Sequence, residues 1–86
     1  MKKQNKLYRI VVEAIDDRKS AIQQLVGEYA LDVKKEESLF DGEVHQWIVE
    51  MDRSMTDKVQ REVRKNNGEI VALTNKQRRA FLSSGE

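Results

Sequence analysis

The chain has 86 residues and a mass of 10.0 kDa, enough for one small domain with one modest core. Apolar residues make up 38 % and charged residues 36 %, so the surface is densely ionic although the net charge is only +1. No apolar run approaches the ~18 residues a membrane-spanning helix needs. Cysteine is absent and His45 is the sole histidine, which excludes disulfides, thiolate zinc sites and two-histidine chemistry.

Residues 1–6 are basic and read as a flexible leader. The stretch after them is broken by Arg9 and Glu13, so it lacks the unbroken apolar run of a secretory signal, and a cytoplasmic protein is expected. Leu7 to Ile15 is β-branched, with Tyr8, Ile10, Val12 and Ala14 on one parity, the pattern of a strand with one buried face. Asp16-Asp17 offers a helix N-cap, and Ala21, Ile22, Leu25, Val26 and Tyr29 then recur at amphipathic helical spacing. A second strand spans 30–40, with Leu31, Val33 and Leu39 on one parity and a bend expected near 34–37.

Asp41-Gly42 is a hairpin signal, since both residues tolerate positive φ. The third strand runs over 43–51 and puts His45, Trp47, Val49 and Met51 together. Ser54 with Asp57 predicts a capping-box start to a second helix, whose Met55, Val59 and Val63 face the core. Asn66-Asn67-Gly68 ends it, with Gly68 suited to the left-handed position. Residues 70–73 form a short apolar fourth strand. Residues 76–86 read as a basic and then mobile tail: Asn75 to Leu82 forms one loose helical turn or an ordered tail, and Ser83 to Glu86 is mobile.

The predicted order is strand, helix, strand, strand, helix, strand over 7–75, a single α+β domain. Right-handed crossovers then give an antiparallel sheet of order 4-1-3-2 with both helices on one face. This order resembles the ferredoxin-like split βαβ sandwich. The resemblance rests on element order alone and implies little about function, since that fold hosts many.

Charge is unevenly placed along the chain. Residues 1–12 carry four cations and no acid; residues 13–52 carry eleven acids against Arg18, Lys19, Lys34 and Lys35; residues 53–79 carry eight cations against Asp57, Glu62 and Glu69. In the expected fold this becomes a dipole, with a basic side able to steer a polyanion. Lys58, Arg61 and Lys65 share one stripe of the second helix, with Arg64 beside it; Lys76, Arg78, Arg79 and Arg9 extend the patch. A charged helix face is also often just a solvated one. Asp57 with Arg61 and Lys58 with Glu62 are ordinary i, i+4 pairs.

Specific chemistry is sparse. Tyr8 and Trp47 lie on the strands that carry stacking rings in RNA-recognition motifs, but their parity turns them towards the core. The opposite sheet face would be open and would show Arg9, Val11, Glu13, Gln46, Ile48 and Glu50. His45 near Asp41 and Glu43 reads as a hydrogen-bonded histidine at the core edge, and there is no glycine-rich phosphate loop. The expectation is therefore a non-enzymatic protein without cofactor or metal, binding RNA or another nucleic acid on its basic side. The alternative is a protein–protein modulator of the inhibitor or antitoxin type, phage- or plasmid-encoded. It would use the acids Asp32, Glu36, Glu37, Asp41 and Glu43, the exposed pair Val11 and Ile48, or a sheet edge. Homo-oligomerisation, by the open sheet face or by an edge of strand 2 or strand 4, is expected, and no membrane partner.

Overall fold

A computed structural model describes residues 5–84. The elements are β1 (Asn5–Glu13), α1 (Asp16–Glu28), β2 (Asp32–Leu39), β3 (Val44–Asp52), a 3-10 turn (Arg53–Met55), α2 (Thr56–Lys65), β4 (Glu69–Ala72) and α3 (Asn75–Ser84). The four strands form one antiparallel sheet of order β2-β3-β1-β4, the order the sequence predicts. β1 and β3 pair along their whole length, from Asn5 opposite Asp52 to Glu13 opposite Val44.

Parity decides the core. Tyr8, Ile10 and Val12 of β1 and Trp47, Val49 and Met51 of β3 are buried together against Ile22 and Leu25 of α1 and Val59 and Val63 of α2. Both of these helices therefore lie on one face of the sheet. Trp47 is 1 % exposed and Tyr8 5 %, so neither ring is available for stacking. The Tyr8 hydroxyl meets Thr56 Oγ1 at 3.3 Å, and the His45 ring sits edge-on to Trp47 with centroids 4.6 Å apart.

The C-terminal segment is the main departure from expectation. Asn75–Ser84 is a ten-residue helix, not a tail. Its Gln77, Ala80 and Phe81 lie over the second sheet face against Arg9, Gln46 and Ile48. That face is consequently covered: Ile48 is 3 % exposed and Gln46 7 %. Thr74 and Gln77 form a reciprocal capping box, the Gln77 amide donating to Thr74 Oγ1 at 3.1 Å and the Thr74 amide donating to Gln77 Oε1 at 3.0 Å.

Other boundaries also shift. Ile15, with no side-chain cap, precedes α1, so Asp16 and Asp17 sit in its first turn, where carboxylates favour the helix dipole. Asp52, accepting from the Ser54 amide at 3.2 Å, caps the 3-10 turn before α2, in place of the expected Ser54–Asp57 box. Asn67, with φ 59°, takes the left-handed position after α2 that Gly68 was expected to fill. In β2 the register slips between Val33 and Lys35, the bend expected there. Lys34 is the extra residue, so Val33 and Leu39 end on opposite faces rather than sharing one. Asn5 and Lys6, expected in a flexible leader, belong to β1; the rest of that reading, residues 1–4, and the end of the mobile tail, residues 85–86, lie outside the described residues.

Candidate nucleic-acid interface

α2 buries Val59 and Val63, and at 100° per residue the opposite side of the helix carries Lys58, Arg61, Arg64 and Lys65. All four are exposed. Asp57 and Gln60 join Arg61, Arg64 and Lys65 around a shallow open depression on this outer side. The i, i+4 pairs expected from the sequence do not form. Glu62 instead takes Lys65, with Nζ 3.4 Å from Oε2. Among the described residues no ion pair engages Lys58, Arg61 or Arg64. Among the described residues their charge thus meets no direct partner, the condition under which cations on a helix attract phosphate.

The remaining cations are not part of that stripe. Lys76, Arg78 and Arg79 are exposed on α3, and helical spacing spreads them round its outer side, away from the inward Gln77, Ala80 and Phe81. α3 and α2 pack on opposite faces of the sheet, and the short edge strand β4 separates them. Arg9 belongs with neither group. It faces the α3 side, is only partly exposed, and its Nε is buried. The single continuous patch expected from the sequence is therefore two exposed basic groups on either side of the β4 edge, with Arg9 apart from both.

The acidic block is partly neutralised by its own neighbours. Asp32 pairs with Lys34 at 2.8 Å and Glu37 with Lys35 at 3.5 Å, while Glu36 Oε2 and His45 Nε2 share a hydrogen bond at 2.8 Å. Lys34 also reaches Glu50 at 3.4 Å. The hydrogen bond to the Asp32 side chain, with Glu50 as second partner, raises the Lys34 pKa above its ordinary 10.5. Asp41 and Glu43 remain exposed at the β2–β3 turn. Val11 and Ile48 do not form an exposed apolar pair: Ile48 is buried under α3 and Val11 is half-buried.

One residue that sequence reasoning missed is Phe40. It is 73 % exposed at the hairpin tip and adopts φ 54°, followed by Asp41 at φ 57°. The Gly42 amide donates to the Leu39 carbonyl and the Glu43 amide to the Phe40 carbonyl, each at 3.1 Å, so Phe40 joins Asp41 and Gly42, both at positive φ as expected, in one tight turn. The signal was present as an aromatic beside a turn dipeptide, but it reads equally as the last residue of a strand. Comparison with protein-family models and with curated proteins finds no match.

Proposed function

We propose that this protein is a small, non-catalytic regulatory protein of the cytoplasm that binds RNA, or another single-stranded nucleic acid, on a ferredoxin-like scaffold. The observation that supports this reading best is the outer face of α2, where Lys58, Arg61 and Arg64 are exposed together without ion-pair partners among the described residues. Lys65 adds a fourth cation, and Lys76, Arg78 and Arg79 extend the contact beyond the β4 edge. Forked and flexible donors of this kind engage phosphates without reading bases, so binding is electrostatic and weakly sequence-specific. RNA is preferred because β2 and β3 intervene between α1 and α2, so the two do not form a helix-turn-helix unit joined by a short turn.

The test is fluorescence anisotropy of labelled single-stranded RNA across a salt series. The affinity is expected to fall steeply with salt, and Arg61→Glu with Arg64→Glu to flatten that slope by roughly 0.7 for each phosphate no longer neutralised. No binding at low salt, or a slope untouched by the charge reversals, would overturn the reading.

A second reading, a protein–protein modulator of the inhibitor or antitoxin type, draws support from Phe40. A bulky exposed residue at φ 54° serves the turn worse than asparagine or glycine would, and it stands beside the acids Asp41 and Glu43. That arrangement suits a basic protein partner with an apolar pocket. The edge strand β4, with Val71 58 % exposed, is the surface for self-association in either reading.

A further inference from the structure

The second sheet face, which α3 covers, buries Leu7, Ile48 and Gln46 among charged side chains. The register sets Val71, Arg9, Ile48 and Lys35 side by side across all four strands, so two cations flank one buried isoleucine. In the next row Gln46 stands opposite Glu37. Between these rows and α3 lies a cavity of about 280 Å³, to which Leu73 and Phe81 add apolar walls. Its size is near the lower end of small-molecule sites, and its mixture of apolar wall and few polar groups is typical of them.

The polar groups in this cavity are unequally satisfied. Glu37 accepts from Gln46 Nε2 at 3.1 Å and pairs with Lys35 at 3.5 Å. Arg9 has no ion pair among the described residues, and its Nε is buried without a hydrogen-bond partner. A buried donor left unmet is costly and rare in native proteins. A guanidinium presents its donors as a planar fork whose spacing matches the two oxygens of a carboxylate. Glu37 disfavours a dianion here, because Arg9 is the one cation lining the cavity that no described carboxylate already neutralises.

We propose that the crevice under α3 is a binding site for a small apolar carboxylate. Its carboxylate sits on the Arg9 fork and its hydrocarbon part lies against Ile48, Leu73 and Phe81. The site is independent of the nucleic-acid reading, since it lies on the sheet face away from α2.

The experiment is a titration of isotopically labelled protein with phenylacetate, following backbone amides and the Arg9 Nε–H resonance by NMR. Saturable shifts are expected at Arg9, Ile48, Leu73 and Phe81, with a Kd below ~10 mM. The neutral analogue phenylacetamide and inorganic phosphate should each bind about tenfold or more weakly. Arg9→Gln should abolish the shifts, whereas Arg61→Gln on the far face should leave them unchanged. Absence of saturation at ~10 mM, equal binding of phenylacetamide, or undiminished binding by Arg9→Gln would overturn the proposal. If Arg9→Gln loses the dispersed spectrum of a folded protein, Arg9→Lys carries the test: it keeps the charge and loses the fork, so unchanged affinity there overturns it as well.

Discussion

A Cβ placed on Gly68 would lie 2.6 Å from Cγ1 of Val12, 2.9 Å from Cγ1 of Val63 and 3.0 Å from the carbonyl oxygen of Val11. Val12 and Val63 are buried core side chains and the third neighbour is backbone of β1, so none can retreat freely. Gly68 is therefore needed for close approach, while the left-handed conformation falls to Asn67, a residue whose short polar side chain tolerates it. Gly27, in α1, has nothing within 4 Å of the same construction. The two glycines should respond oppositely to one methyl group. Gly68→Ala is expected to destabilise by about 1–3 kcal/mol through overpacking. Gly27→Ala should stabilise by roughly 0.5–1 kcal/mol through lost chain entropy in the unfolded state. Urea unfolding of both variants checks the pair, and a neutral Gly68→Ala would show that the seam is looser than these distances imply.

Two elements carry most of what periodicity alone could not supply. α3 has few apolar anchors, chiefly Phe81, and depends on its start. The Thr74–Gln77 capping box satisfies two orphan amides there at once. Thr74→Ala removes one of those bonds and should weaken the helix by about 0.5–2 kcal/mol. The effect is expected to be local: hydrogen exchange should quicken across α3 and at Ile48 while β1 and β3 amides opposite the main core keep their protection. Uniform loss of protection would mean that α3 and the core unfold as one unit. β2 is the other such element. Its slip at Lys34 is held by ion pairs from that residue to Asp32 and Glu50, and the raised Lys34 pKa places the loss of that charge above pH 10.5. Any stability the clamp contributes is thus complete through the neutral range and fades only as pH rises through the folded pKa.

On the scale of the whole molecule, the sheet divides the basic residues. The structure measures 38 × 27 × 18 Å, and α2 and α3 occupy its two sheet faces with β4 as the rim between them. A single strand advancing ~6–7 Å per nucleotide must pass round that rim to touch both groups. Under the proposed nucleic-acid function, Arg79→Glu should leave the affinity for an RNA of ~4 nucleotides unchanged and weaken an RNA of ~12 nucleotides, with a shallower salt slope. Anisotropy with the two lengths decides this. Equal sensitivity of both lengths would place the α3 cations in the same contact as α2, and equal insensitivity would leave them outside it.

The order of the six main elements, the antiparallel 4-1-3-2 sheet and the core face of β1 and β3 were legible in the sequence, because side-chain alternation in a strand and the 3.6-residue repeat in a helix report directly which face is buried. Segregation of charge along the chain was legible for the same reason: residue types are read without knowing contacts. What only the tertiary structure decided is where non-neighbouring segments meet. The Thr74–Gln77 box stood in the sequence, but a helix with Phe81 as its main anchor shows no periodic stripe, so its docking across the second face could not be read. That docking buries Ile48, removes Arg9 from the basic patch and splits the patch in two. The bulge at Lys34 likewise reverses which side chains of β2 share a face, and a shift of one residue leaves no trace in composition. Local patterning is set by covalent neighbours; exposure, pairing and the shape of a site are set by segments that only the folded chain brings together.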